Sequence, residues 1–152
     1  MITLPDLNVP ELQKQQAGVD LTLDKIFSFS SLGSVDYDNS ERKISETKEI
    51  EFENDWVELK PGTYKVVLRE TVKIPKDCLG IGLPRSTLLR CGATIHTAFW
   101  DPGYEGKSEV MLVVHNEKGI KLKKQARIMQ MTFAKVENAQ GTYSGQYQKE
   151  NL

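Results

Sequence analysis

The sequence has few of the features that mark disulfide-rich, membrane-spanning or exported proteins. Its 152 residues include two cysteines, too few for a disulfide framework. Because both lie in apolar surroundings, we expect Cys78 and Cys91 to be buried free thiols. No apolar run approaches the roughly 18 residues of a membrane-spanning helix, and the first residues have neither the basic nor the long apolar region of a signal peptide. We therefore expect a soluble, cytoplasmic protein that does not bind membranes.

The chain also lacks an excess of charge of either sign. Its 20 Lys and Arg residues balance 21 Asp and Glu residues, so nothing favours binding to nucleic acid. The two histidines, His96 and His115, stand at no zinc-binding spacing, and the cysteines form no Cys-x-x-Cys pair, which argues against a zinc enzyme. At this length we expect one domain with a sizeable core.

The sequence has no long segment with apolar residues at helical spacing. It has instead several short runs with the pattern of β-strands. Residues 19–24 alternate between apolar and polar side chains, which predicts a half-buried strand with Asp20 pointing away from the apolar set. The turn signal at 116–119 predicts a hairpin. Further strand-like runs occupy residues 64–69, 78–84, 109–116, 119–124 and 126–136. Many short strands separated by Pro and Gly turns predict an all-β barrel or sandwich with at most short helical turns.

Two segments depart from this strand pattern. Residues 4–15 can hold one helical turn, and residues 86–90 can hold another with Ser86 as its N-cap. Residues 28–55 are polar, with weak periodicity, and we interpret them as a solvated surface excursion without a role in the site. Within that excursion, Lys48–Phe52 can form a β-ribbon.

The stretch from Gly82 to Gly106 concentrates chemically useful side chains. Arg85 and Ser86 suit a phosphate, because the guanidinium can fork onto two oxygens while the hydroxyl donates to a third. Asp101 ends an apolar run and precedes a Pro-Gly turn, an arrangement that presents a carboxylate at a strand end. A phosphate-binding pair near an acid on a turn indicates chemistry on a phosphate ester.

Four segments resemble, in the right order, the conserved motifs of the dUTPase/dCTP deaminase superfamily. Residues 17–23 (AGVDLTL) are similar to the first motif and residues 84–88 (PRSTL) to the second. Residues 98–106 (AFWDPGYEG) resemble the third, a nucleoside-binding hairpin, and residues 126–133 (ARIMQMTF) resemble the fourth. The resemblance implies a distorted jelly-roll (β-clip) barrel of the trimeric dUTPase type, with active sites between the subunits of a homotrimer.

The resemblance most closely implies hydrolysis of dUTP to dUMP and diphosphate. In that reaction Asp101 would be the catalytic base, taking a proton from a water that attacks the α-phosphorus. Arg85 and Ser86 would hold triphosphate oxygens and stabilise charge on the leaving diphosphate. Gln130 would bind phosphate through its amide.

The resemblance also implies Mg²⁺ on the triphosphate. Asp20 would hold the waters of that ion, although the Ser-Pro pair that often follows the first motif is missing here. Because Mg²⁺ keeps water and phosphate ligands, no dense acidic cluster is expected. Arg127 begins the fourth motif and is, in the family, as often structural as in contact with ligand.

The nucleoside would be recognised by the hairpin of the third motif. The resemblance implies that the main chain of Thr97, Ala98, Phe99 and Trp100 reads the base. Tyr104 would pack under the deoxyribose and leave no room for a 2′-hydroxyl. Backbone recognition leaves little trace in side chains, so these roles come from the resemblance alone.

The last residues form a separate unit in this interpretation. Residues 1–140 would be one β domain, and residues 141–152 a mobile flap that closes on ligand and excludes water. GTYSGQYQ at 141–148 resembles the deaminase-branch tail, which folds over the nucleotide phosphates. The tail has no Arg, so its substrate contacts would come from Gln146, Tyr147 and Gln148, with Lys149 as a further candidate.

Two alternatives remain beside the dUTPase. Ser86 and Arg90 fit the dCTP deaminase pattern, but its catalytic Glu falls on Met111 or Val113, depending on the alignment. Glu109 shares their strand phase and could replace that Glu through a slipped strand, giving a deaminase or a bifunctional enzyme. The other alternative is a non-catalytic deoxynucleotide-binding regulator, although such a protein is expected to have lost the acid that Asp101 supplies.

Overall fold

The structure is a computed structural model that describes the backbone of Ile2–Thr3 and all atoms of residues 7–152. Nearly half of the chain, 49%, is strand and 5% is helix, which confirms the predicted all-β fold. The predicted helical turn within residues 4–15 is present as a 3₁₀ turn at Glu11–Gln13, although residues 4–6 lie outside the described part. Among the described residues, no helix is long and apolar enough to cross a bilayer.

In the part of the chain that the structure describes, eleven strands and one short α-helix follow each other, besides the 3₁₀ turn. They are β1 (Ile2–Thr3), β2 (Lys14–Gln15), β3 (Gly18–Phe29), β4 (Thr47–Ile50), β5 (Trp56–Leu59), β6 (Gly62–Lys73), β7 (Cys78–Pro84), α1 (Ser86–Arg90), β8 (Ala93–His96), β9 (Glu105–Val114), β10 (Ile120–Lys123) and β11 (Arg127–Lys135).

The long strand β3 joins the two halves of the main sheet, which forms a nearly closed barrel. Its first half pairs with β11, and its second half pairs with β6 and β4. The path runs β1-β11-β3-β6-β9-β8, with β7 added on β11, and β5 and β10 form a separate antiparallel pair. The strand that carries the first predicted motif therefore lies directly beside the strand that carries the fourth.

The core fills the barrel with apolar side chains, mainly from β3, β6, β9 and β11, and the first half of β3 is buried on both faces. Leu21 and Leu23 are fully buried, as the alternation predicted. However, Asp20 and Thr22 on the opposite face are also buried, with 1% and 5% of their surfaces exposed. The prediction of a half-buried strand is therefore wrong here, because polar partners from other strands cover the second face.

The predictions for the turn at 116–119, the N-cap of α1 and the two cysteines are partly confirmed and partly wrong. The turn at 116–119 is present, since the Gly119 N–H donates to the Asn116 carbonyl at 2.8 Å, but β9 and β10 pair with other strands and form no hairpin. The α1 helix has Arg85 rather than Ser86 as its N-cap. Cys78 is a buried free thiol as predicted, whereas Cys91 is exposed because it directly follows the solvent-facing end of α1.

The polar segment 28–55 is largely an exposed loop. Its one strand beyond the end of β3 is β4, which pairs with that end and overlaps the predicted ribbon. We name residues 30–46, which connect β3 to β4, the arm. The arm contacts the candidate site, as described below, whereas the sequence indicated no contact with the site for this segment.

Candidate active site

A cavity of about 430 Å³ lies beside the loop that connects β8 to β9. Asp101 is exposed on the turn of this loop and contributes to the cavity wall. The other lining residues come from the loop, β9, the arm and the tail, and are Ile44, Ala98, Phe99, Trp100, Tyr104, Ser108, Glu109, Tyr143, Tyr147 and Glu150. The cavity thus brings together most of the residues that the third-motif resemblance singled out, together with Tyr147 of the tail.

Backbone hydrogen bonds hold the turn that carries Asp101. The Trp100 N–H and carbonyl exchange hydrogen bonds with Gly80 of β7 at 3.2 and 2.8 Å. The Tyr104 N–H closes the turn onto the Asp101 carbonyl at 3.1 Å, and Gly103 adopts φ +83°, a backbone conformation that favours glycine. The carboxylate of Asp101 is therefore displayed on a braced turn, and its side chain makes no hydrogen bond or ion pair within residues 7–152.

A chain of side-chain hydrogen bonds supports the floor of the cavity. The indole N–H of Trp100 donates to Ser108 Oγ at 2.6 Å, and the Tyr104 hydroxyl lies 3.1 Å from the same oxygen. The Tyr104 hydroxyl also donates to Glu150 Oε1 at 2.7 Å. Burial raises the pKa of the Tyr104 phenol, and burial likewise raises the pKa of Glu150 above its ordinary value.

Tyr104 is only 5% exposed in this conformation. Its ring packs edge-on against Tyr143, with 5.8 Å between the ring centroids. A sugar could reach its face only if the tail moves, because Tyr143 and Glu150 both belong to the terminal segment. Packing under a deoxyribose remains a prediction for the ligand-bound state.

The tail docks on the hairpin of its own chain through main-chain and amide contacts. The Lys107 N–H donates to the Glu150 carbonyl at 3.0 Å, and the Lys149 N–H donates to the Glu105 carbonyl at 2.7 Å. The amide of Gln148 accepts from the Glu105 N–H at 2.9 Å and donates to the Gly103 carbonyl at 3.0 Å. Gln148, predicted to contact substrate, here anchors the tail.

The arm supplies a contact that the sequence did not indicate. Arg42 donates from Nη2 to Oε1 of Gln146, and Ile44 forms part of the cavity wall. No signal in the arm pointed to this, because its polar composition is that of any solvated loop.

Arg85, Arg127 and Gln130 form a second cluster of predicted residues around Asp20. Its Oδ2 accepts from Arg85 Nε at 2.9 Å and from Arg127 Nη1 at 3.2 Å. The Asp20 side chain is 2% exposed, and each arginine side chain is 26% exposed. Burial raises the pKa of Asp20, while the two guanidinium groups oppose that rise. Gln130 of β11 stands directly opposite Asp20 in the strand register.

Ser86 and Arg90 lie exposed on α1. Arg90 donates from Nη1 to the Ser86 carbonyl at 3.1 Å, and Thr97 donates to the Gly82 carbonyl at 3.4 Å. Within residues 7–152, no hydrogen bond or ion pair joins the Asp20 cluster to the residues that line the cavity around Asp101. One chain therefore presents the predicted residues as two separate groups.

A buried polar network that the sequence reading missed supports the Asp20 cluster. Glu70 of β6 accepts from the Thr22 N–H at 2.8 Å, from Thr22 Oγ1 at 2.7 Å and from Gln13 Nε2 at 2.8 Å. The same Gln13 amide donates to the Asp20 carbonyl at 2.8 Å. Glu70 sits where the pairing of β6 shifts register, and bulges of this kind leave no pattern in a sequence.

Metal binding was tested against the donor set of the structure. Among the residues it describes, no group of three or more His, Cys, Asp or Glu side chains is placed to hold a metal ion. The buried Oδ2 of Asp20 is taken by two arginines. The part of the chain that the structure describes thus offers no ready direct site for a metal ion, and binding of Mg²⁺ through water and phosphate oxygens stays a prediction.

Comparison with known families gives one match over most of the chain. Residues 3–136 match the family described as dCTP deaminase-like. Among solved structures, a 2′-deoxycytidine 5′-triphosphate deaminase from Agrobacterium tumefaciens is similar, with a TM-score of 0.61 and 18% identity. That match covers 87% of this chain and 43% of the deaminase chain, so the present chain spans less than half of it. The likeness supports the fold.

Sequence relatives carry a different name. A probable deoxyuridine 5′-triphosphate nucleotidohydrolase of Methanococcoides burtonii is 54% identical over 144 residues, covering 93% of this chain and 85% of the relative. A protein of the same name from Archaeoglobus fulgidus is 46% identical, with coverages of 93% and 84%. The deoxyuridine 5′-triphosphate nucleotidohydrolase of Methanocaldococcus jannaschii is 39% identical, with coverages of 92% and 90%.

Proposed function

The chain belongs to the dCTP deaminase-like family, and from that premise we propose that it hydrolyses dUTP to dUMP and diphosphate. The observation that carries the proposal is the position of Asp101, exposed on a braced turn at the wall of the cavity beside the hairpin. The names of relatives at 39% to 54% identity support the same reaction.

In this mechanism Asp101 accepts a proton from water as the water attacks the α-phosphorus. An exposed carboxylate without a hydrogen-bond partner is free to take that proton. The bond from the α-phosphorus to the bridging oxygen breaks, and the electron pair leaves with the diphosphate. The main chain of residues 97–100 would hold the base, and Tyr104 would support the sugar after the tail rearranges.

The phosphate-binding side chains come from the Asp20 cluster and from α1. Asp20 would release part of its hold on Arg85 as the triphosphate arrives, so that the guanidinium binds phosphate with Ser86 and Gln130. Mg²⁺ bound to the triphosphate would neutralise phosphate charge. Asp20, whose Oδ2 accepts from Arg85 and Arg127, would help to hold the waters of that ion.

Separation of the two groups within one chain supports a further part of the proposal. If Asp101 of one subunit works with Arg85 and Ser86 of another, the active site is completed in a symmetric oligomer, for which we propose a homotrimer. The expected mass in solution is three times the 17.2 kDa of one chain. An active monomer by light scattering would contradict shared sites.

The central experiment is product analysis with dUTP and dCTP in separate reactions, with Mg²⁺ and then with EDTA. We expect dUMP and diphosphate from dUTP, loss of activity in EDTA, and a large loss of kcat in Asp101→Asn with binding of dUTP retained. A control variant, Asp24→Asn, changes an acid that lies elsewhere on β3. Full activity of Asp101→Asn would remove Asp101 from the mechanism, and tight dUTP binding without diphosphate release would favour a regulator.

A second candidate, dCTP deamination, is favoured by the position of Glu109. This residue lines the same cavity as Asp101 and pairs with Lys65 at 3.1 Å. Met111 and Val113, at the two aligned positions of the deaminase Glu, share its strand face but carry no proton-transfer group. Ammonia release from dCTP that Glu109→Gln abolishes would establish the deaminase, alone or with hydrolysis, and absence of release would leave the hydrolase.

A further inference from the structure

The arm is an ordered loop. Ser34 and Lys43 exchange two main-chain hydrogen bonds at 2.8 and 3.0 Å, which bring the two sides of the arm together. Inside this clip, the carboxylate of Asp36 accepts from the Glu41 N–H at 2.9 Å, and Ser34 Oγ donates to the Glu41 carbonyl at 2.8 Å. The residue between Glu41 and Lys43, Arg42, is therefore held at a defined place.

Arg42 connects the arm to the tail at the edge of the cavity. Its Nη2 donates to Oε1 of Gln146. Ile44, two residues after Arg42, and Tyr147, the residue after Gln146, both line the cavity that contains Asp101. The Arg42–Gln146 pair therefore stands where the arm and the tail meet over this cavity.

Both members of the pair keep unused donors. Arg42 makes no other hydrogen bond or ion pair within residues 7–152, so most of its five N–H donors are free. Gln146 is exposed, and its NH₂ group has no partner in that same part of the chain, while its Oε1 accepts from Arg42. A guanidinium beside an unpartnered amide NH₂ is a donor set that suits phosphate oxygens.

The charges around the cavity favour such a set. The charged residues in its lining are Asp101, Glu109 and Glu150, all acidic. Lys65 is paired with Glu109 at 3.1 Å, and the tail contains no Arg. A triphosphate held here meets repulsion unless a cation stands close by. Arg42 is the cation that the arm brings to the tail.

We propose that Arg42 is a substrate-binding residue, whose guanidinium, together with the amide of Gln146 that it orients, binds triphosphate oxygens at the junction of arm and tail. This inference rests on the proposed dUTP hydrolysis and assigns the arm a role in it. Arg42 reaches the ligand from outside the four motifs, in the segment whose composition predicted no role.

The test compares two ligands that differ in their phosphates. One is a dUTP analogue with nitrogen between the α- and β-phosphorus, which resists cleavage, and the other is deoxyuridine, which carries no phosphate. Titration calorimetry measures both affinities for the wild type and Arg42→Gln. Hydrogen bonds to charged groups support an expected loss of about tenfold to a hundredfold for the analogue, with deoxyuridine binding unchanged.

Two further variants make the result specific. Lys43→Gln removes the same charge one residue away, where the structure shows only main-chain bonds, and is expected to change either affinity by less than about twofold. Arg42→Lys keeps the positive charge but loses the planar guanidinium that can bind two oxygens at once. Its affinity for the analogue should therefore lie between those of the wild type and Arg42→Gln. For dUTP turnover, KM should rise more than kcat falls.

The outcomes separate the two proposals. If the wild type releases diphosphate from dUTP but Arg42→Gln binds the analogue as Lys43→Gln does, the role of Arg42 is refuted while the hydrolase stands. Equal weakening of deoxyuridine and analogue also refutes it, because the arm would then act on the shape of the cavity. If the wild type binds neither ligand, the proposed function itself fails.

Discussion

Replacing Asp20 by Asn tests whether the Asp20 carboxylate anchors two arginines. Because the measurement is made without Mg²⁺, it reports this structural role and not a role at a metal ion. The substitution keeps the shape and an oxygen acceptor but removes the negative charge to which Arg85 and Arg127 donate at 2.9 and 3.2 Å. A hydrogen bond involving a charged acceptor contributes about 1.5–3 kcal/mol net, and a neutral one about 0.5–1.5 kcal/mol. Losing about 1 kcal/mol at each bond predicts a total loss of about 2 kcal/mol in the free energy of unfolding.

Two opposing effects keep this value moderate. A buried carboxylate carries a desolvation cost that Asn does not have, which offsets part of the loss. In addition, each arginine side chain is 26% exposed, so water can partly solvate the guanidinium groups that remain. For a chain of this size, about 2 kcal/mol corresponds to a fall in Tm of about 4 to 8 °C.

Urea unfolding without Mg²⁺, followed by tryptophan fluorescence at one fixed protein concentration, measures the effect. The fixed concentration matters because association changes apparent stability. Asp24→Asn is the matched control, since it makes the same chemical change on the same strand without an ion pair, and is expected to stay within about 0.5 kcal/mol of wild type. If Asp20→Asn loses no more than this control, Asp20 does not anchor the arginines and the reasoning is refuted.

Three further predictions follow from the geometry. Burial raises the pKa of Glu150 above its ordinary value of 4.5, so the protonated form favours docking. Docking of the tail should therefore strengthen as pH falls through the raised pKa towards 4.5, and Glu150→Gln should remove this dependence, as read from the amide NMR signals of Lys107 and Glu105. Glu70→Ala leaves the donors of Gln13 and Thr22 without an acceptor and should cost about 2–4 kcal/mol in urea unfolding, whereas Glu70→Gln, which keeps Oε1, should cost less. Gly82→Ala would bring a Cβ to 2.7 Å from Met129 Sδ and 2.9 Å from the Trp100 ring, an overpacking expected to cost about 1–3 kcal/mol in the same assay; wild-type stability in this variant would contradict the packing.

The fold and the position of Asp101 could be predicted because they depend on local patterns. Alternating apolar residues and Pro-Gly turns indicate strands and their ends wherever they occur. The turn at 101–103 therefore lies at the position predicted from the sequence, between two antiparallel strands. Where strands pair beyond their nearest neighbours is not a local property, and for this reason the hairpin predicted at 116–119 was wrong.

The arm could not be interpreted for a related reason. Its contacts with the tail join residues that are 104 positions apart in the chain, as in the bond from Arg42 to Gln146. The composition of a segment does not reveal its contacts with distant residues. A polar loop whose two sides are joined by Ser34–Lys43 hydrogen bonds has the same composition as a loop without such bonds. The fold brings Arg42 and Ile44, near the end of the arm that leads into β4, to the tail and the cavity.

The geometry of the Asp20 cluster could not be predicted from the sequence because it depends on register shifts between strands. Three adjacent strands, β11, β3 and β6, each shift register close to one of its polar residues: between Arg127 and Met129, between Leu23 and Lys25, and between Val67 and Thr71. A bulge adds a residue to one strand and turns its neighbours to a new direction. If side chains alternated strictly between the two faces through these positions, the polar side chains would lie in solvent, as was predicted for Asp20. Instead, Glu70 and Arg127, each beside a register shift, reach the face of β3 that Thr22 and Asp20 share. Glu70 accepts from Thr22 and Arg127 donates to Asp20, so this face is covered by polar partners that a regular alternation does not predict.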